Sequence, residues 1–128
     1  MTVAEVRGII LDTTSSLLEI DLAGAVTTTQ LAVVACYRDW LSQIDQPQQA
    51  STQVTLTNDT TEATICDAPG DSNVSREVFY LHVSNRDTVA AVVTLRYQDA
   101  TSQYAIIVKT LNPSQALIYG ANFGWQII

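Results

Sequence analysis

Glu77-Val78-Phe79-Tyr80-Leu81-His82-Val83-Ser84-Asn85, then Arg86-Asp87-Thr88, then Val89-Ala90-Ala91-Val92-Val93-Thr94-Leu95-Arg96-Tyr97-Gln98 is the stretch that decides the fold class. Its apolar side chains recur at every second position, the repeat of an extended strand and not of a helix. In the first run Phe79, Leu81 and Val83 share one face, and Val78, Tyr80 and His82 share the other. In the second, Ala91, Val93, Leu95 and Tyr97 face one way and Thr94, Arg96 and Gln98 the other. The segment Asn85-Arg86-Asp87-Thr88 joins them as a turn, because Asn and Asp side chains bond nearby backbone and tolerate tight bends.

The same grammar extends outward in both directions. Asp99-Ala100-Thr101-Ser102 turns the chain into a strand over Gln103–Leu111, and Asn112-Pro113-Ser114-Gln115 turns it into Ala116–Tyr119. Gly120-Ala121-Asn122-Phe123-Gly124 precedes a last run, Trp125–Ile128. Upstream, Ala68-Pro69-Gly70-Asp71-Ser72-Asn73 is the strongest loop signal, and Gln53–Thr57 and Glu62–Cys66 are short strands joined by Asn58-Asp59-Thr60. Leu18, Ile20 and Leu22 alternate with Glu19 and Asp21, as in a half-buried strand, and Glu5–Leu11 forms another before the turn Asp12–Ser16.

The segment Thr27–Ile44 reads two ways. Val33, Tyr37, Trp40, Leu41 and Ile44 fit helical spacing, and Thr27 with Gln30 would make a capping box. Leu31, Val33, Ala35 and Tyr37 also alternate with Ala32, Val34, Cys36 and Arg38, and the β-branched content and all-β surroundings favour this strand reading. Strands at this spacing predict an all-β chain, an antiparallel β-sandwich of jelly-roll type with about eight to ten short strands.

Composition bounds what such a domain does. The chain has 128 residues, 13 acidic against 6 basic, a formal charge of −7, and Lys109 as its one lysine. Residues 1–128 are expected to form a single domain, with residues 1–25 either an N-terminal arm that pairs with a neighbouring subunit or a strand of the domain's own sheet. Phosphate contact needs clustered Lys and Arg, so neither nucleic acid nor an anionic membrane is the expected partner. The apolar run Leu31–Tyr37 is far short of the roughly 20 residues of a membrane helix, and Met1-Thr2-Val3-Ala4-Glu5 lacks the features of a secretory signal. Cys36 and Cys66 are the only cysteines. They are expected to be reduced core thiols, with a bridge as the alternative if their strands are neighbours.

The residues that could carry chemistry are few. His82 is the only histidine, with Ser84 on its strand face and Asp87 just beyond, but no nucleophile-elbow glycine pattern accompanies them. Asp67, Asp71 and Asp99 read as solvated turn residues and not as a calcium loop. No phosphate-cradling glycine loop is present. The expectation is a chain that is not an enzyme and carries no catalytic, metal or cofactor residues. Trp40, Tyr80, Tyr104, Tyr119, Phe123 and Trp125 are the candidates for a carbohydrate-binding platform, since amphipathic rings suit flat polar ligands, but Tyr119 and Trp125 read better as core or rim of the last hairpin.

From about Thr27 onward the chain resembles the small β-sandwich virion proteins of tailed bacteriophages. The likeness lies in an ordered series: Tyr37-Arg38-Asp39-Trp40; Asp59-Thr60-Thr61-Glu62-Ala63-Thr64-Ile65 and the Ala68-Pro69 loop; Phe79 to Asn85; Asp87-Thr88-Val89; Val93-Thr94-Leu95-Arg96-Tyr97; Val108-Lys109-Thr110-Leu111-Asn112-Pro113; Leu117-Ile118-Tyr119; and Gly124-Trp125. Ser114-Gln115 stands where the family usually has Gly-Glu, and Asn122 stands in a turn that is usually richer in glycine, where Asn tolerates the left-handed region.

The resemblance implies a structural role, most directly capsid decoration (cement) on the outer surface of the head, made in the host cytoplasm. The partners would be the major capsid protein or other virion proteins, and a second copy of the chain in a homo-oligomer. A tail, neck or head-fibre component, or a carbohydrate-binding module, is the alternative. The expected interface residues are Val78, Tyr80, Val92 and Ile107 as outward apolar positions, with Ile9 and Leu11 in the N-terminal segment.

Overall fold

The computed structural model describes residues 8–41 and 46–128, and in them eleven strands and no helix. They are β1 (Ile9–Leu11), β2 (Leu17–Leu22), β3 (Leu31–Leu41), β4 (Gln46–Pro47), β5 (Ser51–Thr57), β6 (Ala63–Cys66), β7 (Val74–Ser84), β8 (Ala91–Gln98), β9 (Gln103–Leu111), β10 (Ala116–Gly120) and β11 (Gly124–Ile127). A seven-stranded sheet runs β11-β10-β7-β3-β4, with β1 also on β7 and β5 also on β3. A four-stranded sheet runs β6-β2-β8-β9. Every pairing is antiparallel. The two sheets form a β-sandwich.

The core is the set of alternating positions that the two sheets turn toward each other. Leu18, Ile20 and Leu22 of β2 and Val93 and Leu95 of β8 meet Leu31, Val33 and Ala35 of β3 and Leu81 and Val83 of β7, all essentially without solvent exposure. Burial of each such side chain contributes about 1.5–3 kcal/mol, so the period-2 pattern is what holds the sheets together. Thr27–Ile44 contains a strand, β3, and no helix in its described part. Its Thr27, Thr28 and Thr29 amides bond to Asp87 across the sandwich instead of opening a helix.

Three bulges interrupt the pattern, and one corrects the expected facing of Val78. Cys36 pairs with Tyr80 but Tyr37 pairs with Val78, so Phe79 is an extra residue in β7. Parity therefore flips at Phe79: Val78 joins Leu81 and Val83 on the inner face and is fully buried. Gly8 explains part of this geometry, because a Cβ there would lie 2.1 Å from the Val78 carbonyl oxygen. The other bulges fall opposite Leu18/Glu19 and Leu95/Arg96.

The described part of the N-terminal segment includes two strands. β1 pairs with β7 and β2 sits between β6 and β8, so the described part is built into the domain's own sheets and is not an arm. Leu11 is fully buried in the core and Ile9 packs against it, because alternation along β1 turns them inward. Residues 1–7, including the expected start of the first strand at Glu5, lie outside the described residues.

The turns are specific. Ser114 has φ 72°, the one non-glycine residue at positive φ among those described, and Gly124 has φ 76°. The left-handed position in the last turn thus belongs to Gly124 and not to Asn122.

Candidate functional site

The residues that could have formed a nucleophilic site are not brought together. His82 points outward on the seven-stranded sheet, its ring 6.5 Å from that of Tyr80. Ser84 Oγ donates to the Ala32 carbonyl at 3.4 Å. Asp87 is occupied elsewhere: its carboxylate accepts the amides of Thr27 (2.7 Å), Thr28 (2.8 Å), Thr29 (3.2 Å) and Thr88 (2.9 Å) and the Thr28 hydroxyl (2.9 Å). Those donors hold its pKa far below the usual carboxylate range, the Thr27 amide foremost. Asp87 is therefore a clamp that fixes the start of β3 to the β7–β8 turn.

The turn carboxylates behave likewise. Asp71 Oδ1 accepts the Asn73 amide, and Asp99 Oδ1 accepts the amides of Thr101 and Ser102, which lower its pKa. Among the described residues no three His, Cys, Asp or Glu side chains are grouped as metal ligands. Cys36 and Cys66 are both free thiols, Cys36 half-buried on an outer face and Cys66 buried in the core. Burial pushes the Cys66 thiol up to about 11.

The aromatic candidates separate. Trp40 is buried, with its indole N–H donating to Glu77 Oε1 at 2.9 Å. Tyr104 is exposed on the other sheet, beside Tyr97. Tyr80 lines a cavity, with Arg38, Phe79, Asn122 and Phe123. Tyr119 and Trp125 face each other across β10 and β11 with ring centroids 4.7 Å apart, and both pack against the core.

Part of each sheet's outer face is apolar and exposed. On the outer face of the seven-stranded sheet, Val54, Val34, His82 and Ile118 stand in one cross-strand row over β5, β3, β7 and β10. Leu56, Ala32, Ser84 and Ala116 form the adjacent row. Val54 is 65% exposed and Leu56 49%. On the four-stranded sheet, Val92 is 36% and Val108 54% exposed, and the bulge residue Ile106 is exposed beside them. β9 is that sheet's edge strand, nine residues long.

Of the expected interface residues, Val92 is on an exposed face and Tyr80 is half-buried at the cavity, while Ile107 is half-buried and packs against the core. Val78 and Leu11 are core residues and cannot contact a partner. Val54, Leu56, Ile106 and Val108 are further exposed apolar residues, outside the expected interface set. The signal in sequence is the alternation of Val54 and Leu56 with Gln53, Thr55 and Thr57. No family model, curated protein or solved structure matches this chain.

Proposed function

We propose that this protein is a structural component of a tailed-bacteriophage virion, a decoration protein that binds the outer surface of the head and ties neighbouring major capsid subunits together. The observation that carries the reading is the pair of exposed apolar sheet faces, Val54 and Leu56 on one sheet and Val92 and Val108 on the other. Exposed Val and Leu side chains on β5 of one sheet and on β8 and β9 of the other weaken a lone monomer's solubility and suit a surface meant to be covered. Covering Val54 and Leu56 alone contributes about 2 kcal/mol. Two such faces on opposite sheets let one small domain touch two neighbours at once.

The ordered motif resemblance supports the same reading, and so does charge. A surface at −7 with one lysine repels packaged DNA and suits the outside of a shell. The protein acts through contacts, as a homo-oligomer or as a bridge between capsid subunits, and needs no cofactor for this. The test is addition of purified protein to expanded shells of the cognate major capsid protein that lack it. Binding with a rise in the shells' heat resistance supports decoration. A stable free oligomer that ignores shells moves the protein to the tail, neck or head fibre.

A further inference from the structure

A cavity of about 390 Å³ opens where the outer face of the seven-stranded sheet meets the β10–β11 turn, lined by Arg38, Glu77, Phe79, Tyr80, Asn122 and Phe123 among others. Its volume lies in the range of small-molecule sites. Arg38 and Glu77 stand directly opposite each other on β3 and β7. The Arg38 guanidinium carbon lies 4.4 Å from the centre of the Phe79 ring, and its Nε is 3.5 Å from Glu77 Oε1. Glu77 is itself fixed by the Trp40 indole and the Gly8 amide, both at 2.9 Å. The guanidinium is therefore braced on one side by a ring face and on another by a buried carboxylate.

The rest of the guanidinium is unused. Among the described residues no hydrogen bond reaches the Arg38 Nη atoms, and of its nitrogens only Nε is buried without a hydrogen-bond partner. Arg38 lines the cavity with a side chain 37% exposed, and its planar guanidinium fork matches a carboxylate. Arg38 is the one cation among the described lining residues. Glu77 beside it offsets part of its charge, and the whole protein is at −7, so a dianion such as phosphate is disfavoured more than a monoanion. The remaining walls include the aromatic residues Tyr80 and Phe123, the latter 48% exposed, and the amide residue Asn122, beside Cys36, Gly120 and Ala121. Rings and amides together suit a ligand with one apolar face and a rim of hydroxyls.

We propose that this cavity binds a monocarboxylated sugar ring of the uronic-acid class, with the carboxylate on the Arg38 Nη pair and the ring against Tyr80 and Phe123. The inference stands apart from the virion reading, since it rests on the cavity and not on the apolar faces. Glycan attachment through it would add a second binding activity to a structural domain.

The test is a titration of the ¹⁵N-labelled full chain with glucuronate, glucose and benzoate, read by amide shifts. Glucuronate is expected to move the amides of Gly120–Phe123 saturably, with millimolar affinity, and glucose at the same concentrations to leave them in place. Benzoate, which has the charge without the hydroxyls, is expected to bind at least several-fold more weakly. R38Q is expected to lose glucuronate binding at least tenfold. Because R38Q also disturbs Glu77, N122D serves as the second variant: it places a like charge at the exposed turn, and a comparable loss with an otherwise folded spectrum is expected. Shifts with glucose equal to those with glucuronate, benzoate binding as tightly as glucuronate, no saturable shift, or wild-type binding by N122D overturns the proposal.

Discussion

The indole N–H of Trp40 donates to Oε1 of Glu77 at 2.9 Å, while the other carboxylate oxygen takes the Gly8 amide at the same distance. One buried carboxylate thus ties the chain just before β1 to β3 and β7, and it takes Trp40 out of contention as a ligand platform. Glu77→Ala leaves the indole and the Gly8 amide without that acceptor and removes Arg38's ionic partner. Loss of a buried, hydrogen-bonded carboxylate costs about 2–4 kcal/mol. Urea denaturation followed by tryptophan fluorescence checks this, and a loss under about 1 kcal/mol contradicts the role.

Asp87 makes stability pH-dependent. Its folded pKa is depressed, so the clamp contributes fully above the unfolded value of about 4 and is lost as pH falls from there toward the folded value. Asp99 shifts in the same direction and adds to the same acid window. Asp87→Asn is expected to lower the melting temperature by several degrees at pH 7. The gap from wild type should narrow by pH 3, because the unfolded wild type then takes up a proton on Asp87 that the folded clamp excludes, whereas the Asp87→Asn variant has none to take up. Thermal melts at the two pH values decide it, and a gap that widens in acid contradicts the clamp.

The two thiols differ in access. Cys66 is buried, with its thiol pushed up to about 11, and Cys36 lies half-buried on the outer face lining the cavity. An aromatic disulfide reagent at pH 8 should titrate one thiol in the native protein and two in denaturant. Two fast thiols in the native protein, or none in denaturant, contradict this arrangement.

Ser114 occupies a left-handed conformation, φ 72°, that costs a side chain about 1 kcal/mol and glycine nothing. Glycine also loosens the unfolded chain, which takes back part of the gain. Ser114→Gly is expected to stabilise by roughly 0.5 kcal/mol, and Gly124→Ala, at φ 76°, to destabilise by about 1 kcal/mol. Opposite signs in paired denaturation curves are the expected result.

The strands were legible where alternation was clean. The span Gln103–Leu111 matches β9 at both ends, and Leu18, Ile20 and Leu22 are core as their spacing implies. What alternation could not show is a bulge. The extra residue at Phe79 depends on how β1, β3 and β10 meet along β7, and that one residue sends Val78 inward. β4 escaped notice because it is two residues long and contains Pro47, with a pairing set by Trp40 and Leu41. The Arg38–Glu77 brace was equally hidden, since it exists only in the β3–β7 register, 39 positions apart along the chain.

The most direct test of the account is co-sedimentation with expanded shells of the cognate major capsid protein, comparing wild type with Val54→Asp/Leu56→Asp and Val92→Asp/Val108→Asp. These side chains are exposed, so the variants are expected to fold as wild type does. The account predicts saturable, stoichiometric pelleting of the wild type and its loss in at least one of the two variants. Wild-type protein that stays in the supernatant at every concentration, or pelleting that neither variant alters, contradicts it.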